Sequence, residues 1–149
     1  MTRPSDVKPR EGEQPGTPSS AIDAGSLLPE MRFTISPEIV EEYLASIDAD
    51  RSLYSLDGRA IAPPNVLFVY QLAVLYRKYP PIQGIILTEQ TWDFHAPIWA
   101  DETTEIVADG KIVERFEKRG KQFMRWSADF RSSNGTKLAT STNTMYLPE

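Results

Sequence analysis

The fold is decided by residues 64–78, which read Pro64-Asn65-Val66-Leu67-Phe68-Val69-Tyr70-Gln71-Leu72-Ala73-Val74-Leu75-Tyr76-Arg77-Lys78. Between Val66 and Tyr76 the only strongly polar side chain is Gln71. A helix that is apolar on every side has to be enclosed by the rest of its domain. Pro80-Pro81 cannot continue a helix, so we predict an enclosed helix from Pro64 to about Lys78.

The segments after this helix are extended. Residues 82–94 are rich in β-branched and aromatic side chains, and we predict a central strand there. Three more strands are predicted, over residues 105–118, 121–132 and 137–147. Because Gly120 and Asn134-Gly135 can take the positive φ angles of hairpin turns, these last three strands should form a meander.

Residues 121–132 alternate in polarity, which indicates a strand with one buried face. The apolar side chains on that face are Met124, Trp126, Ala128 and Phe130. We expect Tyr70, Trp92 and Phe94 to join them in a core between helix and sheet. The predicted fold class is α+β, a long antiparallel sheet wrapped around one central apolar helix.

The first part of the chain is less regular. Residues 1–26 contain four prolines, scattered charges and no aromatic side chain, so we predict a disordered tail followed by one domain over residues 27–149. Phe33-Thr34-Ile35 is predicted as a short strand, and Ser36 can cap a helix that starts at Pro37. Residues 48–63 are predicted as a loop.

Composition excludes several kinds of site. The 149 residues include no cysteine and one histidine, His95, so disulfides, thiolate catalysis and a multi-histidine metal centre within one chain are ruled out. The net charge of -5 argues against a nucleic-acid partner. We predict neither a signal peptide nor a membrane span, because no apolar run has the needed length and position, and we expect a cytoplasmic protein.

Two motifs resemble one known family. Gly58-Arg59-Ala60-Ile61-Ala62-Pro63-Pro64 precedes the helix, and Thr91-Trp92-Asp93-Phe94-His95-Ala96-Pro97-Ile98 follows it. Both are similar to the MaoC-like hot-dog dehydratases, and in particular to the subgroup related to the dehydratase domain of type I fatty-acid synthases, over residues 33–147. The chain departs from that subgroup at Asp101-Glu102, where Gly-Asp is usual.

The resemblance implies a reversible addition of water to a trans-2-enoyl thioester of coenzyme A or acyl carrier protein, with no metal and no cofactor of the protein's own. Catalytic members carry an Asp-x-x-x-x-His pair in the segment before the helix. Here that segment contains Asp57, but the residue five positions later is Ala62. Proximity and proton transfer both depend on the complete pair. The resemblance therefore implies a subunit that lacks the pair and is completed by a catalytic partner.

Several residues are candidates for the site. His95 could act with a carboxylate of Asp57, Asp93 or Asp101, although a lone histidine at a strand end more commonly packs or hydrogen-bonds there. The backbone N–H groups of Gly58, Ala60 and Ile61 could bind a thioester carbonyl, or they could simply form a tight turn into the helix.

Three basic residues, Lys118, Arg119 and Lys121, surround the predicted turn at Gly120. They are candidates for contact with the phosphates of coenzyme A or with an acidic carrier protein. A solvated hairpin is the alternative, because Glu114 and Glu117 are interleaved nearby.

The sequence leaves three functions open. The first is an acyl-thioester-binding hot-dog subunit of an (R)-specific enoyl-thioester hydratase or 3-hydroxyacyl-thioester dehydratase, in a homodimer or in a heterodimer with a second hot-dog subunit. The second is a self-contained homodimeric hydratase or a hot-dog thioesterase, with its chemistry on His95 or on a carboxylate. The third is a hot dog that binds an acyl thioester without chemistry.

Overall fold

The segment at residues 64–78 forms the central helix. In the computed structural model, which describes residues 1–8 and 16–148, the helices are α1 Pro4–Val7, α2 Pro37–Ser46 and α3 Phe68–Tyr76. A 3-10 turn at Pro64–Leu67 leads directly into α3. The helix ends at Tyr76, two residues before the predicted end.

The sheet packs against one side of this helix. Its strands are β1 Leu27–Ile35, β4 Ile86–Phe94, β5 Thr104–Lys118, β6 Lys121–Ser132 and β7 Lys137–Leu147. They are antiparallel in the order β1-β5-β6-β7-β4, while two short strands, β2 Ser55–Leu56 and β3 Arg59–Ala60, pair separately. The meander of the last three long strands is confirmed. Arg119 and Gly120 turn β5 into β6 with φ angles of 54° and 74°.

The core lies between α3 and one face of the sheet. The predicted inner residues of β6 are all 0% exposed, namely Met124, Trp126, Ala128 and Phe130. Tyr70 of α3 stacks on Phe33 of β1 with 4.3 Å between ring centroids. Since burying one such side chain contributes about 1.5–3 kcal/mol, this layer is a major source of stability. The predicted α+β arrangement is confirmed.

The position of β4 differs from the prediction. We predicted a central strand, and this was wrong, because β4 pairs with β7 alone and forms an edge of the sheet. Its apolar side chains are open, with Ile86 56%, Leu87 40% and Phe94 48% exposed. Such composition indicates that a strand is covered, but no described residue covers this edge.

The central helix is also less enclosed than predicted. Phe68 and Val69 are exposed, and Leu72 is only partly buried. These three side chains lie on the side of α3 that faces away from the sheet, because the opposite side carries the buried Tyr70 and Val74. The helix is apolar on every side, but no described residue covers this side of it.

The N-terminal segment contacts the domain at several points, although it was predicted as a disordered tail over residues 1–26. Tyr70 donates a hydrogen bond from its hydroxyl to the Thr2 carbonyl at 2.7 Å. Ile22 is 1% exposed, and Arg115 donates to its carbonyl at 3.1 Å. The disordered tail and the start of the domain at residue 27 stay predictions. Residues 9–15 of the predicted tail lie outside the described residues.

The start of α2 follows the prediction. Pro37 is its first residue, and the Ser36 hydroxyl accepts a hydrogen bond from the Ile39 N–H. The predicted short strand before it is the end of the longer β1. Of the helices in the described residues, none has the length and apolar character needed to span a bilayer.

Candidate functional site

The helix-start end of the sheet, defined by Phe94, Thr104, Ser132 and Lys137, is where the motif residues gather. Here β2 and β3 form a hairpin that turns at Asp57 and Gly58, with φ angles of 50° and 79°. Our prediction of a loop over residues 48–63 missed this hairpin. The signal was available, because an Asp-Gly pair is a strong two-residue turn sequence.

The two motifs that carry the family resemblance are paired with each other. Ile61 forms an isolated β-bridge with Trp99. The Ala62 N–H donates to the Ile98 carbonyl at 2.8 Å, and the Ala100 N–H donates to the Ala60 carbonyl at 3.0 Å. The segment that enters the helix is therefore held by the segment that follows β4.

Arg59 reinforces this pairing. Its guanidinium donates to both carboxylate oxygens of Asp101, at 2.7 Å and 3.0 Å, and to Glu102 at 3.2 Å. The guanidinium also lies 4.2 Å from the Trp99 ring centroid. The hydrogen bond from Arg59 lowers the pKa of Asp101 from its ordinary value, and the same contact raises the pKa of Arg59. Asp101 and Glu102, which stand where Gly-Asp is usual in the subgroup, thus both accept hydrogen bonds from Arg59.

The predicted catalytic residues are not brought together as a pair. Asp57 is exposed at the tip of the β2–β3 hairpin, and Asp93 is exposed on β4. His95 follows β4, donates its backbone N–H to the Leu138 carbonyl at 2.8 Å, and has an exposed side chain. In the described ranges 1–8 and 16–148, no hydrogen bond or ion pair links its imidazole to Asp57, Asp93 or Asp101.

The backbone groups predicted to bind a thioester are partly engaged. The Ile61 N–H donates to the Tyr54 carbonyl at 3.1 Å and is not free for a ligand in this conformation. Gly58 belongs to the turn and Ala60 to β3, and their contact with a thioester stays a prediction. Ala62 is 1% exposed and has no group that could transfer a proton.

A polar cavity of about 240 Å³ opens at the same end of the sheet. It lies between the segment after β4 and the loop from β6 to β7, and Trp99, Glu102, Glu105, Ser133 and Asn134 are among its lining residues. Its position depends on strand register, so sequence reasoning did not find it. No group of three or more histidine, aspartate or glutamate side chains suited to a metal occurs in the part of the chain that the structure describes.

The inner face of the sheet near β4 contains a polar chain that we did not predict. Gln90 donates from Nε2 to Asn143 Oδ1 at 2.8 Å, and Asn143 donates from Nδ2 to Ser141 Oγ at 3.3 Å. Asn143 and Ser141 are fully buried. The aromatic side chains of Trp92 and Phe94 lie on this same face, with 5.6 Å between their ring centroids.

Gln71 of α3 adds a buried amide. The residue is 4% exposed. Its Oε1 atom is buried and has no hydrogen-bond partner within the described residues. An unpaired buried carbonyl is rare and costly, so this atom marks a place where a donor is missing.

The basic residues lie elsewhere. Lys118, Arg119 and Lys121 form the hairpin end of the sheet, beside Tyr146 and the start of β4. Eight residue steps along β4 separate that end from Phe94, a distance of about 27 Å at the usual rise of a strand. The two predicted groups of substrate-binding residues therefore occupy opposite ends of one subunit.

Comparisons with known proteins agree with this architecture. The chain resembles the HadBC 3R-hydroxyacyl-ACP dehydratase complex from Mycobacterium tuberculosis, with a TM-score of 0.68 and 17% identity over 83% of this chain and 96% of that chain. A MaoC-like dehydratase from Rhodospirillum rubrum gives a TM-score of 0.69 and 15% identity over 89% of this chain and 97% of that one. The chain has the hot-dog fold of the MaoC-like dehydratases.

A third hot-dog structure is similar to the same degree. The R-hydratase PhaJ1 from Pseudomonas aeruginosa has a TM-score of 0.67 and 15% identity over 90% of this chain and 87% of that chain. No family model and no curated protein matches the sequence. At such low identity the likeness establishes the hot-dog fold, and the side chains have to carry the functional argument.

Proposed function

We propose that this hot-dog chain is the acyl-thioester-binding subunit of an (R)-specific enoyl-thioester hydratase or 3-hydroxyacyl-thioester dehydratase. A second hot-dog subunit would supply the Asp and His that perform proton transfer. The observation that carries the proposal is the segment before the helix, where Asp57 forms a turn and Ala62 is buried. A hot dog that retains the fold and lacks the pair is suited to hold a substrate for a partner.

The exposed surface of the chain supports a paired assembly. The β4 edge has an open row of backbone groups, and Ile86, Leu87 and Phe94 on it are exposed. An edge strand with apolar side chains is a surface for pairing with another strand. The similar HadBC structure is itself a complex, and it is described as a 3R-hydroxyacyl-ACP dehydratase.

Such pairing would also change which groups are near each other. If two β4 strands pair in the antiparallel sense, the start of one lies beside the end of the other. The hairpin end of one subunit then shares an end of the joined sheet with the helix-start end of its neighbour. Groups about 27 Å apart in one subunit can therefore serve one extended thioester in a pair.

The structure favours this proposal over a self-contained enzyme. A hydratase centred on His95 needs a carboxylate that orients the imidazole, and the described residues provide none by hydrogen bond or ion pair. A thioesterase would need a carboxylate placed to activate water, but Asp101 is engaged by Arg59 and Asp57 lies at an exposed turn. The proposed chemistry requires no cofactor beyond the carrier of the substrate.

The test is to isolate the chain from its own source and measure native mass and crotonyl-coenzyme A hydration on the same fraction. We expect a hetero-oligomer with hydratase activity, from which the second subunit can be identified. A homodimer with full activity would contradict the proposal, and His95→Ala would then show whether the chemistry lies on the histidine. An inactive homodimer would favour the alternative in which the chain binds an acyl thioester without chemistry.

A further inference from the structure

A groove of about 490 Å³ lies on the outer face of the sheet at the hairpin end. Phe123 and Arg125 line it, and they alternate along β6 with the buried Met124 and Trp126 that face α3. The groove is therefore on the opposite side of the sheet from the core. It is separate from the polar cavity at the helix-start end.

The charges of this groove are unbalanced. Its lining contains four cationic side chains, Lys118, Arg119, Lys121 and Arg125, and one carboxylate, Glu89. Arg125 is paired with Glu114. Across residues 1–8 and 16–148, no carboxylate forms an ion pair with the other three. On a chain with a net charge of -5, this is a local concentration of unpaired positive charge.

Aromatic rings accompany the cations. Phe116 and Phe123 line the groove and stack with 5.4 Å between centroids. Tyr146 meets Phe123 edge-on at 5.9 Å, and Lys121 Nζ lies 5.4 Å from the Tyr146 centroid. The three rings lie opposite one another on neighbouring strands, and they form a half-buried aromatic row on the face of the sheet that α3 does not cover.

We propose that this groove binds a purine nucleotide through its phosphate groups and its base. Lys and Arg side chains bind phosphate, while aromatic rings provide a surface for a planar base. The volume is in the range of small-molecule sites, which are typically about 300–1,000 Å³. An acidic protein surface would meet the cations but would not use the rings or the depth of the groove.

Two sources can present this chemistry. The inference rests on the proposed function where the nucleotide is the end of a coenzyme A thioester, and it goes beyond that function where the nucleotide is free. Crotonyl-coenzyme A should bind more tightly than adenosine 3′,5′-bisphosphate in the first case. In the second case the added acyl arm should give no gain.

The experiment is calorimetric titration of the full chain with adenosine 3′,5′-bisphosphate, with inorganic phosphate and with crotonyl-pantetheine, which lacks the nucleotide. We expect the bisphosphate to bind at least about tenfold more tightly than phosphate. The double variant Lys118→Glu, Lys121→Glu should weaken bisphosphate binding by at least about tenfold. Phe123→Leu should weaken the bisphosphate several-fold and leave phosphate binding unchanged.

The matched control is Lys111→Glu, Lys137→Glu, which changes net charge equally at two exposed lysines outside the groove. Absence of bisphosphate binding, or an equal loss in this control, would overturn the inference. So would a preference for an acidic carrier protein over the nucleotide. Crotonyl-pantetheine separates the two proposals. Since it lacks the nucleotide, it should still bind the groove variant. If it failed to bind the wild type, that result would count against the proposed function alone.

Discussion

Arg59 binds Asp101 through three hydrogen bonds of 2.7 Å, 3.0 Å and 3.1 Å across 42 residues of sequence. This contact joins the hairpin before the central helix to the segment after β4, and the bridge between Ile61 and Trp99 runs beside it. The segment before the central helix, where the family resemblance implies a catalytic pair, is thus fixed in position. A fixed position suits the substrate-binding role that we propose for it.

The ion pair predicts a dependence of stability on pH. The folded protein lowers the pKa of Asp101 below its ordinary value of 3.8. The stabilisation of the folded state by the ion pair is therefore complete above pH 3.8 and is lost as pH falls through the pKa of Asp101 in the folded protein. The difference in melting temperature between wild type and Asp101→Asn should therefore shrink as pH is lowered from 6 to about 3. The measurement is thermal unfolding across this pH series.

Asp93→Asn is the control for that series, since Asp93 is exposed and forms no ion pair with any described residue. It should show no comparable change with pH. A constant difference between wild type and Asp101→Asn down to the lowest pH would mean that the contact with Arg59 does not contribute in solution.

We predict that a charged side chain on the β4 edge disrupts assembly. Leu87→Lys places a cation on an apolar edge strand and should shift the sedimentation equilibrium toward monomer, because pairing would have to bury the charge. Val113→Lys is the matched control, since Val113 on β5 has a similar exposure of 43% but lies away from this edge. An unchanged oligomer in Leu87→Lys, with the control also unchanged, would place the interface elsewhere.

The N-terminal segment offers a test of where the folded unit begins. Ile22→Ala should lower the free energy of unfolding by about 2–4 kcal/mol, because it opens a cavity at a buried position. Leu27→Ala, at a position 72% exposed, should change it by less than about 0.5 kcal/mol. Urea denaturation measures both. Equal, negligible effects would favour the prediction of a disordered tail up to residue 26.

Two buried amides should respond in opposite ways to substitution. Asn143→Leu breaks the chain from Gln90 to Ser141 and should cost about 1–3 kcal/mol of unfolding free energy. Gln71→Leu removes a carbonyl that has no partner among the described residues and should leave stability unchanged or raise it by about 1 kcal/mol. Denaturant unfolding of the ligand-free protein compares them. A loss in Gln71→Leu as large as that in Asn143→Leu would show that Gln71 is satisfied in solution.

Much of the fold could be predicted because local patterns report burial. The alternation at Met124, Trp126, Ala128 and Phe130 identified the inner face of β6, and Ser36-Pro37 identified the start of α2. The same signal misplaced β4, because an edge strand with apolar side chains has the composition of a central strand. The pattern shows that a surface is apolar, but it does not show whether that surface is covered within the chain.

The site was less accessible to prediction because it depends on pairings between distant segments. The contact of Arg59 with Asp101 and the chain from Gln90 to Asn143 follow from strand register, which composition does not contain. The opposite placement of Gly58 and Lys118 follows from register as well. The missing histidine after Asp57 could be read from sequence alone, since it concerns a fixed spacing.

The most direct test of the central claim is crotonyl-coenzyme A hydration by the purified chain, alone and after mixing with a MaoC-like subunit that carries the Asp-x-x-x-x-His pair. The chain alone should show no turnover, because the residue five positions after Asp57 is Ala62 and not the histidine that the resemblance implies for catalysis. The mixture should hydrate crotonyl-coenzyme A faster than the catalytic subunit does alone. Full turnover by this chain without a partner would contradict the account.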